Sequence, residues 1–308
     1  MLTAPIYSRY IEQKRAKSPP RGSRPGPASV SSVTATPGAS GPADIGVIGG
    51  SGIYSLLDDA DTVTASTPYG DPSAPVTIGR LGGRRVAFLP RHGTDHRYAP
   101  HVVPYRANLW ALRSVGVRQV VSLSAVGSLR ADLGPGALVL PDQIVDRTHG
   151  RDHTLFDAGK GVVHATFADP YCPRGRAAAL AGAGDAGADV VDGGALVVIN
   201  GPRFSTRAES LEYQRNGWSI IGMTAMPEAG LARELALCYT TLALVTDLDA
   251  GVGAGEGVTH SEVLEQFAAN LPRLRELLVA TVERLPAEQG DCECGTTYAA
   301  APPPFDLP

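Results

Sequence analysis

The chain has 308 residues, of which 43% are apolar, and a formal net charge of -4. That is enough apolar material for one large α/β domain or two modest ones, and too little positive charge for a surface whose affinity rests on nucleic-acid phosphates. No run reaches the ~18 apolar residues of a membrane span and the start lacks the apolar core of a secretory signal, so a cytoplasmic protein with no membrane partner is expected.

In chain order, residues 1–43 are rich in Pro, Ser, Gly, Ala and Thr, and read as a disordered arm because too few large apolar side chains are present to offset chain entropy. Residues 44–286 then alternate short apolar runs with helical patterns. Ile45 to Ile48 runs into Gly49-Gly50-Ser51-Gly52, and Val86 to Leu89 into Pro90-Arg91-His92-Gly93. A helix is expected from Tyr105 through Leu109, Leu112 and Val115, stopped by Gly116. Val120 to Leu123 leads into Ser124-Ala125-Val126-Gly127-Ser128, and Leu196 to Ile199 into Asn200-Gly-Pro-Arg-Phe204-Ser205. Thr206 with Glu209 predicts a capping box whose helix closes at Asn216-Gly217, and Pro227 suits a first helical position. Leu242 to Val245 ends in Thr246-Asp247-Leu248-Asp249. Thr259 with Glu262 opens a last helix with an apolar side of Val263, Leu264, Phe267, Leu271, Leu274 and Leu278. Residues 287–308 carry no helical or strand period and read as an irregular tail, with Phe305 as a residue able to lie on a neighbouring surface. This alternation predicts an α/β fold in a single domain: a mixed, mainly parallel sheet covered by helices.

In open α/β sheets ligands collect beyond the carboxyl ends of strands, so five polar or glycine-rich junctions point to one composite pocket. Gly49-Gly50-Ser51-Gly52 is either a tight turn or a cradle of N–H groups for a phosphate. The dinucleotide fingerprint is not met, since Ser55 stands where its third glycine belongs. An arginine fork at Arg91 suits phosphate oxygens, and with Ser124 makes a cage for a free anion. Asp247 and Asp249 place two carboxylates directly after a strand. Their alternatives are a helix cap or a metal site, but no His or Cys pair is spaced around them, and no metal is expected. Mutual repulsion predicts a raised pKa for at least one, which would let it donate to a ring nitrogen while accepting from an exocyclic amine.

These residues resemble the trimeric purine nucleoside phosphorylase family, in its 5'-methylthioadenosine phosphorylase branch. The likeness is carried by Gly49-Gly-Ser-Gly-Ile-Tyr54, Arg91-His-Gly93, Asn200 through Ser210, Met223-Thr224 and Thr246-Asp-Leu-Asp249. It implies phosphate binding by Ser51, Arg91, His92, Ser124 and Thr224, ribose contact by Met223, and a purine flanked by Phe204 and Ser205. Asp247 and Asp249 would read N7 and the 6-amino group, with Asp247 as general acid. Family members with Asn at the position of Asp247 favour 6-oxopurines, so an adenine nucleoside is expected here. The implied reaction is phosphorolysis of 5'-methylthioadenosine or a related 5'-modified adenosine to adenine and the 5-substituted ribose 1-phosphate. Inorganic phosphate is the co-substrate and no cofactor is implied.

The resemblance also implies a homotrimer in which His164 from an adjoining subunit, with Val258, His260 and Val263, closes over the 5' substituent. His260 is either a solvent-facing histidine or a hydrogen-bonding group for a 5'-hydroxyl or halogen, which keeps an adenosine or broad purine nucleoside phosphorylase open as the alternative. His149 and His153 fit no standard metal spacing with His164 and read as loop residues. A dinucleotide-binding oxidoreductase, a hydrolytic nucleosidase and a non-catalytic nucleoside-binding module are the remaining classes. Cys172 and Cys238 are isolated in sequence and Cys292 and Cys294 form a lone C-x-C, so reduced thiols rather than a disulfide framework are expected.

Overall fold

All five apolar runs become strands in the computed structural model, which describes residues 33–35, 43–50, 57–157, 161–252 and 257–308. The strands are β1 (Val33–Ala35), β2 (Ile45–Gly49), β3 (Asp58–Ala65), β4 (Val76–Leu81), β5 (Arg84–Pro90), β6 (Gln119–Ser128), β7 (Leu138–Leu140), β8 (Gln143–Arg147), β9 (Val190–Asp192), β10 (Ala195–Ile199), β11 (Ile220–Gly222) and β12 (Cys238–Leu248). The helices are α1 (Tyr105–Ser114), α2 (Pro173–Asp185), α3 (Arg207–Arg215), α4 (Ala225–Glu234) and α5 (His260–Arg284). Both capping boxes form: Thr206 accepts from the Glu209 N–H and Thr259 from the Glu262 N–H, each with the glutamate reaching back.

The strands make one mixed sheet in the order β1-β3-β4-β5-β2-β6-β11-β10-β8, with β12 paired to β6 and β7, and β9 to β7. The pairs β5–β2, β2–β6, β6–β12, β10–β11 and β10–β8 are parallel. The pairs β1–β3, β3–β4, β4–β5 and β6–β11 are antiparallel. Of the expected arm, Val33–Ala35 pair with β3, while residues 1–32 and 36–42 lie outside the described residues.

Strand β6 positions the site. Along one edge it pairs with β12 from Gln119 to Ser128. On the other edge β2 pairs only as far as Ser122, and β11 takes over at Gly127 and Ser128. Between them, Leu123 to Val126 have no strand partner on that edge among the described residues, so the sheet opens there and main-chain groups become available to side chains.

Alternation along the strands feeds two layers of core. Ile48, Leu89 and Val120 pack with Leu109 and Leu112 of α1 and Leu231 and Leu235 of α4. Val47, Phe88, Val121, Leu123, Leu242 and Leu244 point the other way, onto Ala179 and Ala183 of α2 and Leu274, Leu277, Leu278 and Val282 of α5. Gly182 lets α2 touch α5, since a Cβ there would lie 2.7 Å from the Ala280 carbonyl carbon.

Phe305 of the tail lies on a neighbouring surface as expected, its ring 5.8 Å from Trp110 and 5.6 Å from Phe156. Two expectations are corrected. The apolar side of α5 does not extend to its start: Leu264 is 55% exposed, and the buried positions begin at Leu274. Nor are Cys172 and Cys238 isolated, because the tail returns Cys292 and Cys294 to them in one buried group. No described helix is long and apolar enough to cross a membrane.

Candidate active site

The gap in the β6 edge is filled by Arg91, at the end of β5. Its Nη1 donates to the freed Leu123 carbonyl at 3.0 Å and its Nη2 to Ser122 Oγ at 2.7 Å. Its Nε and Nη2 also donate to Glu228 Oε2 and Oε1, at 2.7 and 2.9 Å, in a fork with side chains only 4% and 1% exposed. Ser122 and Tyr239 hydroxyls complete the shell of Glu228 at 3.1 and 2.8 Å. Against the burial that would lower it, the Glu228 carboxylate holds the Arg91 guanidinium above its ordinary range. The arginine fork expected to face phosphate is thus turned onto a carboxylate, leaving one Nη1 hydrogen beyond the Leu123 bond.

His92 follows, with Nδ1 2.7 Å from the Tyr98 carbonyl. A carbonyl can only accept, so Nδ1 carries the hydrogen and, in the neutral ring, Nε2 is an acceptor; the His96 ring stacks on it with centroids 4.6 Å apart. Burial first, and then the Arg91 charge, push the His92 pKa down to about 4, so the ring is neutral near pH 7.

Two hydroxyls complete this end. Ser124, in the unpaired stretch of β6, is buried and its Oγ has no hydrogen-bond partner. Thr224 sits at the N-cap of α4 and makes no side-chain cap bond. Met223 packs its sulfur against the glycine face of Gly201, where a Cβ would lie 2.5 Å away. Ser51 lies outside the described residues.

At the other end of the β6 gap, β12 bulges. Val245 pairs with Val126 but Asp247 pairs with Gly127, so Thr246 is an extra residue and Asp247 is re-aimed. A Cβ at residue 127 would fall 2.9 Å from Asp247 Oδ1, so Gly127 makes the room this carboxylate occupies. Thr246 Oγ1 donates to Asp247 Oδ2 at 2.8 Å. Burial raises the Asp247 pKa, the Thr246 bond works against that, and the Asp249 and Glu262 charges add to the rise. Burial also raises Asp249, countered by the Ser210 and Ser205 hydroxyls. Asp249 is 4% exposed and its Oδ2 has no partner. The upward direction matches the sequence expectation, but removal from water rather than mutual repulsion is the main cause. Phe204 and Ser205 lie in the loop between β10 and α3, both partly buried.

Of the residues expected at the 5' end, three flank Glu262, whose charge acts on Asp247. His260 is the first residue of α5 and exposed, with Val258 and Val263 half-buried near it. His164 lines a cavity of about 320 Å³ with Phe156, Val162, Phe167, Arg233 and Glu234, which shares no lining residue with Arg91, Ser124, Thr224 or Asp247.

Sequence reasoning missed Glu228, Ser122 and Arg151. Glu228 had one signal, an acid one residue behind Pro227 at a helix start. Arg151 donates to the main-chain carbonyls of Met226 and Asn200, the latter at 2.7 Å, and so ties the Phe204 loop to the start of α4. Nothing in its local sequence marks it.

A family model described as the Phosphorylase superfamily matches residues 44–283. The chain is 58% identical over 274 residues to the purine nucleoside phosphorylase of Streptomyces coelicolor, spanning 86% of this chain and 98% of that protein. It is 55% identical over 265 residues to the S-methyl-5'-thioadenosine phosphorylase of Mycobacterium tuberculosis, spanning 86% and 97%. Among solved structures it is similar to a methylthioadenosine phosphorylase from an antarctic soil metagenomic library, with a TM-score of 0.78, 42% identity, and coverage of 83% and 91%. It is also similar to the methylthioadenosine phosphorylase of Schistosoma mansoni in complex with adenine, with a TM-score of 0.76, 36% identity, and coverage of 80% and 93%.

Proposed function

The chain belongs to the phosphorylase superfamily, and on that premise we propose that it is a pentosyltransferase that splits 5'-methylthioadenosine, or a related 5'-modified adenosine, with phosphate. The products are adenine and the 5-substituted ribose 1-phosphate. Its most similar relatives named above are phosphorylases of purine or methylthioadenosine nucleosides. The observation that carries the reading within this chain is a pair of groups set by one strand, β6: a buried, unpartnered Ser124 hydroxyl and, three residues on, Gly127 making room for the raised Asp247 carboxyl. Three residues of strand span roughly 10 Å, the scale of a sugar set between an anion and a purine.

The chemistry follows from where charge moves. As the bond from C1' to N9 stretches, its electron pair withdraws onto the purine and positive charge grows on the sugar. Asp247, whose raised pKa keeps a proton available, gives that proton to N7, so the base departs as neutral adenine. Asp249, with its free Oδ2, accepts from the 6-amino group. Phosphate, held by Ser124, Thr224, the remaining Nη1 hydrogen of Arg91, His92 and Ser51, neutralises the sugar from the other face and forms the new bond to C1'. Phe204 and Ser205 flank the base and Met223 the ribose. No organic cofactor takes part. Replacing Asp247 by Asn tests the acid directly: turnover of adenine nucleosides should fall on the order of 10²-fold, and unchanged turnover would overturn the assignment.

The 5' pocket is completed in a homotrimer, with His164 delivered by a neighbour beside Val258, His260 and Val263. The support is that the cavity His164 lines has none of Arg91, Ser124, Thr224 or Asp247 in its wall. A second reading, phosphorolysis of 5'-hydroxyl nucleosides, is favoured by the exposed His260 at the mouth of α5 and by the name of the Streptomyces coelicolor relative. The cytoplasm is the proposed compartment, supported by four cysteines that form no disulfide.

A further inference from the structure

Four cysteines from three distant parts of the sequence meet beneath the sheet. Cys172 caps the start of α2, Cys238 opens β12, and Cys292 and Cys294 sit in a run of turns in the tail. Their sulfurs all lie within 4.8 Å of one another and all four residues are buried. The separation from Cys238 to Cys292 is 3.3 Å. Four sulfurs about 2.3 Å from one zinc ion form a tetrahedron with edges of roughly 3.8 Å, which is the spacing scale seen here.

We propose that Cys172, Cys238, Cys292 and Cys294 form a tetrathiolate site for a structural zinc ion that fastens the C-terminal tail to the sheet. Four sulfur donors without a carboxylate or carbonyl oxygen select a soft ion with no geometric demand beyond a tetrahedron, which is zinc rather than magnesium or calcium. Cys172 stands at the N-cap of α2, where the helix N-terminus favours a thiolate. The buried Arg233 donates to the Thr166 and Asp169 carbonyls. On binding, each thiol releases its proton to solvent and four S–Zn bonds form, with no change of oxidation state. The C-x-C turn, closed by the Gly295 N–H on the Cys292 carbonyl at 3.1 Å, supplies two adjacent ligands from a segment with no helix or strand of its own.

The mechanical result lies at the far end of the tail. Gln289 donates to the Ala236 carbonyl at 2.7 Å and Thr297 to the Arg233 carbonyl at 3.2 Å, on either side of the cysteine pair. Beyond them Phe305 rests on Trp110 and Phe156, and Phe156 lines the His164 cavity. An ion at the cysteines therefore holds a strap that ends beside His164.

The test uses the full-length, untagged chain, dialysed and analysed by plasma mass spectrometry for metals. One zinc per chain is expected, falling to background in the double variant Cys292→Ser, Cys294→Ser. Cobalt(II) exchanged into the native protein should give the intense visible bands and sulfur-to-cobalt charge transfer of a tetrahedral tetrathiolate, a result that holds even if the double variant does not fold. Chelation of the native protein should expose the tail to protease. Metal-free protein with four titratable thiols on denaturation would overturn the proposal. So would a mass lowered by two hydrogens per disulfide, or zinc retained equally by the double variant.

Discussion

Glu228→Ala leaves the Arg91 guanidinium, 3% exposed, facing the space of a carboxylate that is 1% exposed. Two charge-assisted bonds of 2.7 and 2.9 Å are lost, and the Ser122 and Tyr239 hydroxyls lose their shared acceptor. Breaking a buried pair from one side costs about 3–5 kcal/mol, because the surviving charge stays out of water. At roughly 2–4 °C per kcal/mol, the melting temperature should drop by about 10 °C. Arg91→Met should cost a similar amount, since it strands the carboxylate. The double variant Arg91→Met, Glu228→Leu removes both charges and replaces them with apolar volume, so its loss should fall short of the sum of the singles by about 2–3 kcal/mol. Urea unfolding of the four proteins, at one fixed protein concentration, gives the cycle directly. Additivity within about 0.5 kcal/mol would refute the pairing as the element that holds this side of the site together.

The remaining predictions concern the two ends of the β6 gap. Because the His92 pKa is about 4 against an ordinary 6.5, the unfolded chain holds a proton between those values that the native chain does not. Its contribution of about 3 kcal/mol is therefore complete above pH 6.5 and lost as pH falls through 4, and a His92→Gln variant should show a shallower acid limb in melting temperature against pH. Equal limbs would contradict it. Ser124→Ala removes a hydroxyl without a protein partner, so the melting temperature should stay put while the KM for phosphate rises about 10-fold, as for one bond to a charged group. A fallen melting temperature with an unchanged KM would reassign Ser124 to the scaffold. Gly127→Ala sets a methyl 2.9 Å from Asp247 Oδ1 and 3.0 Å from Ile221 Cγ2, so kcat/KM should drop at least 10-fold, about 1.4 kcal/mol. Steady-state rates within twofold of the parent would show that the carboxyl does not need this room.

Local signals were legible and long-range ones were not. The apolar runs at Ile45, Val86, Val120, Leu196 and Leu242 were visible as strands because each is stopped by glycine or a polar cluster, and the capping boxes at Thr206 and Thr259 because both partners lie three residues apart. Asp247 and Asp249 stood out for the same reason, as acids directly behind an apolar run. Glu228 was not legible, since its partner Arg91 is 137 residues away and a helix-start glutamate ordinarily faces water. The bulge at Thr246 lies in the register between two strands, which no single stretch of sequence encodes. Three-residue strands such as β7 and β9 are too short to show a period. The cysteine group joins positions as far apart as 172 and 294, so spacing alone reads them as separate thiols. His164 was placed by family resemblance rather than by its neighbours, and the cavity it lines does not include Asp247.

The central claim is phosphate-dependent cleavage of an adenine nucleoside. Purified protein is incubated with equal amounts of 5'-methylthioadenosine, adenosine and inosine, with and without phosphate, and free bases and residual nucleosides are measured by chromatography. Adenine release is expected only when phosphate is present, with inosine untouched and 5'-methylthioadenosine depleted ahead of adenosine. Hypoxanthine as the main product, or equal release of adenine without phosphate, would contradict it.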